Sequence, residues 1–243
     1  MKLIKLNAID STNEYIKKIK SNVSDKFFCV YTYSQTNGKG QRGNIWESEP
    51  NKNICISLYY KPLTCEPNYT SFKLNMLVSL IILEFFEELK IPKLKVKWPN
   101  DILSDGKKIS GILIETALRS NNSNDYIIGI GLNINQNNFD NINNASSIKN
   151  ITGIDYDLNH LTIRLINFFE DLDNRFNQNS IDDIKSEYVN NLYGNNSVMK
   201  FANDQKELHG KIIDVISENK IKLLVNDKEI VFSSGDLKLL SLI

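Results

Sequence analysis

What most restricts the fold of this chain is where its glycines fall. Seven of its eleven glycines (38, 40, 43, 106, 111, 129 and 131) and both tryptophans lie in three short stretches bordered by runs that read as β-strands. Turns scattered along a chain would not concentrate them in this way. A glycine inside a strand removes bulk from one face and lets another group come close. The pattern therefore predicts one pocket built from several strands, with Trp46 or Trp98 available as an apolar wall.

The first stretch is Asn37-Gly38-Lys39-Gly40-Gln41-Arg42-Gly43-Asn44-Ile45-Trp46, between strand-like runs at 27–33 and 54–60. It reads as a loop pinned at both ends by one sheet, with glycines and two cations suited to holding an anion. No Gly-Lys-Ser/Thr closes it as in a Walker A sequence, and no helix pattern follows as in a Rossmann fingerprint. A mobile hairpin loop with incidental basic residues would look the same locally. The second stretch alternates up to Trp98 and stops at Pro99, presenting Asn100 and Asp101 at a strand tip. Asp105-Gly106 then turns the chain into a strand over 107–115, so the segment is a hairpin. Taken singly, Lys107 or Lys108 would be a solvated edge charge. The third stretch, 126–134, reads as a buried strand whose Gly129 and Gly131 face one side, leaving room for a packed backbone or for a ligand.

Elsewhere the pattern is plainer. Ser11 with Glu14 forms a capping box that starts a helix carrying Tyr15, Ile16 and Ile19, although Ser11 and Thr12 could equally cradle a ligand at that helix end. A turn is expected at 62–67, then a helix from Thr70 to about Lys90 that is apolar almost all round and so backs the sheet. The polar residues 136–150 show no period and read as a long loop, either a lid or disordered, and the asparagines at 121–124 as exposed loop. Helices are expected from Asp157 or Asn159 and from Ser180. Short alternating runs at 198–201, 208–216, 221–225 and 230–232, with turns near 203–204, 218–219 and 226–227, read as a small β-barrel. The chain is thus expected to divide into 1–193 and 194–243.

Lys+Arg and Asp+Glu are equal at 29 each, so no excess positive field points to nucleic acid. The longest uncharged apolar stretch, 74–83, falls far short of the roughly 20 residues of a membrane span. No secretory signal opens the chain, so a cytoplasmic location is expected. Two histidines and no Cys-x-x-Cys pair leave no dedicated metal site. Cys29 and Cys55 lie in strand runs and suit small buried groups in a reducing compartment.

Five motifs share one order and spacing: Ser11-Thr12-Asn13; Gln35 with Gly38-Lys39-Gly40-Gln41-Arg42-Gly43 and Trp46; Lys97-Trp98-Pro99-Asn100-Asp101; Lys108-Ile109-Ser110-Gly111-Ile112-Leu113-Ile114-Glu115; and Gly129-Ile130-Gly131-Leu132-Asn133. Together they resemble the biotin protein ligase family. The resemblance implies an α+β fold, a mixed or antiparallel sheet backed by helices as in class II synthetase-like biotin ligase catalytic domains, followed by a small C-terminal SH3-like β-barrel. It implies the activity of a monofunctional, AMP-forming biotin–[acetyl-CoA-carboxylase] ligase. Biotin and ATP, with Mg²⁺, would give biotinyl-5′-AMP and pyrophosphate, and the adenylate would acylate one lysine of a biotin carboxyl carrier domain.

By the same resemblance Ser11, Thr12, Asn13 and Gln35 would meet the biotin head, with Gly111, Leu113, Gly129 and Gly131 leaving room for its rings and tail. Gly38, Lys39, Gly40, Gln41 and Arg42 would wrap the phosphates, and Trp46, Asn100 and Asn133 would lie on the nucleotide side. Lys108 would touch both the biotin carboxylate and the α-phosphate, acting with Lys39 and Arg42. Asp101 would orient or deprotonate the incoming lysine. The loop departs from the family's usual Gly-Arg-Gly-Arg-x-Gly, because Lys39 and Gln41 replace both arginines and lose their bidentate forks. No segment precedes the first strand, so no operator DNA binding is expected. A lipoate–protein ligase or octanoyl transferase of the same superfamily would use similar chemistry, but the polar Ser11-Thr12-Asn13 and Gln35 cluster suits a ureido ring better than a dithiolane. A non-catalytic ligand-binding module would fill the same pocket without turnover.

Overall fold

The computed structural model describes residues 1–62, 70–118, 124–139, 144–203 and 206–242 of the 243. The elements run β1 (Lys2–Leu6), α1 (Thr12–Ile19), β2 (Phe27–Thr32), β3 (Gly38–Lys39), β4 (Ile45–Trp46), β5 (Ile54–Tyr60) and α2 (Thr70–Glu88). Then come β6 (Leu94–Lys97), β7 (Asp101–Ser104), β8 (Lys107–Leu118), β9 (Asn124–Leu132), α3 (Ile148–Thr152), α4 (Leu158–Glu170), α5 (Leu172–Gln178) and α6 (Ile181–Asn190). Five strands follow: β10 (Val198–Asn203), β11 (Lys206–Ser217), β12 (Lys220–Val225), β13 (Lys228–Ser233) and β14 (Lys238–Leu242). The turns expected at 62–67 and near 203–204, and the asparagines at 121–124, fall wholly or partly outside the described residues.

Seven strands form one sheet in the order β1-β2-β5-β9-β8-β7-β6. β1 and β2 are parallel and the other pairs antiparallel, so the sheet is mixed. Strand alternation sorts its residues onto two faces. Ile56, Leu58, Ile112, Ile128 and Ile130 face the helix side and join the large core around α2. Ten residues in a row of α2, Leu74 to Leu83, are buried, because the helix packs on β6, β7 and β8 and is covered in turn by α4, α5 and α6. Burying each such leucine or phenylalanine contributes roughly 1.5–3 kcal/mol, which is why an all-round apolar helix takes the central place. Lys90, at φ 59°, ends it: Lys90 N–H reaches Glu87 O at 2.8 Å and Ile91 N–H reaches Phe86 O at 3.0 Å, a Schellman motif.

The opposite face of the sheet carries the odd-numbered residues of β5, β8 and β9. Under α1 these meet Ile16 in a smaller core of Phe28, Val30, Tyr59 and Ile127. Beyond the N-terminus of α1 the same face is stripped. Register sets Asp101 opposite Gly111, Gly111 opposite Gly131, and Gly131 opposite Cys55, with Leu113, Gly129 and Ser57 in the next row.

Three expectations need correction. Residues 136–150 are not one unstructured loop: α3 begins at Ile148, capped by Ser147, and Gln136 is buried, its Oε1 accepting from Asn53 Nδ2 at 2.5 Å and from Glu49 N–H at 3.1 Å. The single helix expected from Asp157 or Asn159 is two: α4 starts behind the Asp157 cap, and the chain breaks at Asp171 before α5. The C-terminal strands form an antiparallel sheet in the order β13-β12-β11-β10-β14, consistent with an SH3-like unit, but β13 and β14 are not paired, so no closed barrel forms among the described residues. β14 had no counterpart in the sequence pattern read above.

Candidate functional site

A cavity of about 450 Å³ opens over the stripped face of the sheet. Gly111, Leu113, Gly129 and Gly131 contribute to its floor. A Cβ at Gly129 would come 2.5 Å from Asn13 Oδ1, and one at Gly131 would overlap the Trp46 indole, so these glycines make room for side chains that border the cavity. The Trp46 ring also lies 3.0 Å from where a Gly111 Cβ would be and 5.5 Å from Lys108 Nζ, a cation–π distance.

The polar end is built by α1 and by residues 34–37, which run beside 9–10. Ile9 N–H donates to Ser34 O at 3.1 Å, and Thr36 N–H to Ile9 O at 3.0 Å. That pairing brings Gln35 Oε1 to 3.0 Å from Thr12 N–H. Ser11 caps α1 by accepting from Glu14 N–H, but the return half of the capping box is missing, since Ser11 N–H donates to Asp10 Oδ1 at 2.8 Å. Glu14 instead pairs with Lys17 and Lys39, each at 2.7 Å, and those two cations hold its carboxyl down at about 2. Asn13 Nδ2 donates to Glu115 Oε2 at 2.8 Å, and Ser57 Oγ lies 2.5 Å from Asn13 Oδ1.

The cationic end is built by the glycine loop and the β7–β8 hairpin. Asp105 and Gly106, at φ 50° and 75°, turn that hairpin, and a register shift between Ile102 and Leu103 skips Ile109 in the pairing. Such a bulge re-aims the neighbouring side chain. Lys108 is further clamped from outside the hairpin: its N–H donates to Asn144 O at 2.7 Å, and its carbonyl accepts from Ser146 N–H at 2.9 Å. Its ammonium lies 2.6 Å from Asp101 Oδ1. Asn100 ties the strand tip to β8, donating from Nδ2 to Ile112 O at 2.6 Å. Across the cavity Lys39 is held by Glu14, and Arg42, left-handed at φ 58°, donates to Ser234 Oγ beside Gly235.

Lys39, Arg42 and Lys108 therefore share one cavity, together with Ser11, Thr12, Asn13, Gln35, Gly40, Gln41, Trp46, Asn100 and Asp101. Two of the residues singled out from sequence do not line it. Gly38 pairs with Trp46 and leaves space for Gln35. Asn133 is buried, its Nδ2 donating to Ser146 O at 3.0 Å and reaching Lys108 O at 3.4 Å, so it secures the segment that clamps Lys108 rather than facing the cavity. Other contributors had not been singled out. Phe201, Ile212, Ile221 and Leu239 of the second sheet, with Leu237 just before β14, wall the cavity, and no motif marks them. Ser57 did carry a signal: it is the one aliphatic hydroxyl in the fully buried run Ile-Cys-Ile-Ser-Leu-Tyr-Tyr. Trp98 lines the cavity, and its buried indole N–H has no acceptor among the described residues.

The family model described as "Biotin/lipoate A/B protein ligase family" matches residues 6–133. The bifunctional ligase/repressor BirA of Salmonella typhimurium is 27% identical over 227 residues, covering 93% of this chain and 63% of that protein. A biotin–[acetyl-CoA-carboxylase] ligase of Paracoccus denitrificans is 29% identical over 127 residues, 51% of each chain. This chain thus spans less than two thirds of the length of these curated relatives. Among solved structures, biotin protein ligase from Aquifex aeolicus in complex with biotin and ATP superposes with a TM-score of 0.80 at 26% identity, covering 99% of both chains.

Proposed function

The chain belongs to the biotin/lipoate A/B protein ligase family, and we propose that it is an ATP-dependent biotin protein ligase. It would join biotin to ATP to form biotinyl-5′-AMP, then pass the biotinyl group to one lysine of a biotin carboxyl carrier domain. The observation that carries this reading is the continuity of one cavity from a hydrogen-bonding end at Thr12, Asn13 and Gln35 to a cationic end at Lys39, Arg42 and Lys108. An amphipathic acid with a polar ring and an anionic tail fits that polarity, and a nucleotide triphosphate fits the cationic end.

The chemistry follows from charge. A carboxylate must approach the α-phosphorus of a polyanion, and two unit charges 4 Å apart at an effective dielectric of about 20 repel by about 4 kcal/mol. Lys108, aimed from the hairpin bulge, offsets that repulsion where the carboxylate oxygen attacks and pyrophosphate leaves. No nucleophile of the protein is required, because the substrate carboxylate and then the acceptor amine supply one. In the second step the acceptor amine attacks the acyl carbon and AMP leaves. Asp101, paired with Lys108 at 2.6 Å, is the carboxylate placed to take or orient the amine's proton once Lys108 turns to the phosphate.

A Mg²⁺ ion would add neutralisation of the triphosphate. Among the described residues no group of three or more His, Cys, Asp or Glu side chains could hold a metal. The ion would therefore arrive with the nucleotide, as Mg²⁺ commonly does, with Asp101 the cavity carboxylate available to it. The division into 1–193 and 194–243 is part of the same proposal, the second unit closing the cavity from above. Use of ATP and a carrier domain would put the reaction in the cytoplasm. No helix among the described residues is long and apolar enough to cross a membrane.

The test is exchange of labelled pyrophosphate into ATP by the purified chain, with biotin, with lipoate and with neither. Exchange that requires biotin is expected. Exchange that requires lipoate would assign the chain to the other branch of its family, and biotin binding without exchange would make it a binding module.

A further inference from the structure

Behind the polar end of the cavity lie two residues that do not line it, Ser57 on β5 and Glu115 on β8. We infer that they are positioning residues which fix the hydrogen-bond polarity of Thr12, making its hydroxyl an acceptor for a ring N–H of the ligand. The inference rests on the reading above, in which a ureido ring occupies this end.

The argument is one of counting hydrogens. A carboxylate only accepts, so the Asn13 atom 2.8 Å from Glu115 Oε2 is the amide nitrogen. Lys17 Nζ, 2.8 Å from Glu115 Oε1, holds the carboxylate from its other side. Asn13 therefore cannot flip, and its Oδ1 faces Ser57 Oγ at 2.5 Å. Ser57 has one hydroxyl hydrogen, which that acceptor takes. Ser57 and Thr12 hydroxyls lie 2.6 Å apart, so the hydrogen between them is Thr12's. Thr12 then has none for Gln35 Oε1, 3.3 Å away, which already accepts from the Thr12 backbone N–H.

Ser57 is fully buried behind Thr12 and Asn13, each 4% exposed, so water does not reach the Ser57 hydroxyl to rewrite this order. What remains on Thr12 Oγ1 is an unused lone pair at the cavity wall. A ring N–H satisfies it, whereas a ring oxygen or a thioether meets it lone pair to lone pair. The cost of such a mismatch in a buried site is what lets hydrogen-bonding pockets reject close analogues.

The experiment uses the full chain and biotin-dependent pyrophosphate exchange, with biotin and with an analogue in which one ring N–H is replaced by oxygen. Ser57→Ala frees the Thr12 hydrogen to turn toward the ring. The expected result is a rise of about tenfold or more in the KM for biotin, a KM for ATP and a kcat within about twofold of wild type, and a roughly tenfold smaller preference for biotin over the oxygen analogue. Glu115→Ala should behave likewise, and Glu115→Gln, which keeps an acceptor oxygen for Asn13, should restore the wild-type preference. If Ser57→Ala fails to melt cooperatively, the Glu115 pair carries the same comparison. An unchanged preference in the alanine variants overturns the inference, even if KM rises, because a merely structural role would do that much. A wild-type chain that shows no biotin-dependent exchange defeats the functional reading instead.

Discussion

Replacing Lys108 by alanine isolates the charge on which the proposed first step depends. In the wild type its ammonium is 2.6 Å from Asp101 and over Gly111, where the carboxylate and the α-phosphate would meet. Removing it deletes an attraction of about 4 kcal/mol per close anion at an effective dielectric of about 20, and leaves Asp101 as an added negative charge. Partial hydration reduces the net loss to about 3–4 kcal/mol, in line with deletion of other groups that stabilise developing charge. At about 1.4 kcal/mol per factor of ten, the rate should fall by two to three powers of ten. The fold should survive, because the pair is only partly buried, with 30% and 20% of the two side chains exposed, and a pair that solvent still reaches contributes on the order of 1 kcal/mol. The assay is single-turnover formation of biotinyl-5′-AMP by chromatography, with a thermal melt of the same sample. A folded variant that forms the adenylate within tenfold of the wild-type rate would refute the reasoning.

Three further outcomes follow from the geometry. Gly129→Ala places a Cβ 2.5 Å from Asn13 Oδ1, pushing Asn13 off Ser57 and Glu115; the KM for biotin should rise about ten- to a hundredfold from a loss of roughly 1.5–3 kcal/mol, with the KM for ATP little changed, and an unaltered biotin KM would count against the site as drawn. Because Lys17 and Lys39 hold Glu14 down at about 2, its contribution to stability is complete above its ordinary 4.5 and is lost as the pH falls toward 2. Melting temperature should therefore drop more steeply over that window in the wild type than in Glu14→Gln, and parallel curves would contradict it. Burial pushes the Cys55 thiol up to about 12 and raises that of Cys29 as well, so peptide mapping after iodoacetamide treatment at pH 8 should find neither alkylated in the native protein.

The parts of this fold that could be read from sequence are those whose cause is local. Asp105-Gly106 requires positive φ and marks the hairpin, Ser11 and Ser180 cap helices by reaching three residues forward, and the strand alternation of β5, β8 and β9 sorts the two faces of the sheet. What escaped depends on partners far along the chain. Gln136 lies in a polar, aperiodic segment, yet it is buried because Asn53, eighty-three positions away, supplies a donor. Asn133 belongs to a glycine motif but turns away from the cavity because the carbonyls of Lys108 and Ser146 take its amide. Leu237 and Leu239 wall the cavity only because β14 returns beside β10, a pairing that no local pattern signals. Cations can be counted in a sequence, but their partners cannot: Lys39 and Arg42 are gripped by Glu14 and Ser234.

The account centres on a cavity that brings an acid and a nucleotide together so that the acid can be handed to an amine. The most direct measurement supplies the protein with ATP, Mg²⁺, labelled biotin and a biotin carboxyl carrier domain, and follows the label by mass spectrometry. The account predicts biotin in amide linkage to a single lysine of the carrier, with one AMP and one pyrophosphate formed per biotin transferred. Label that remains on free biotin, or that reaches the carrier equally well without ATP, would contradict it.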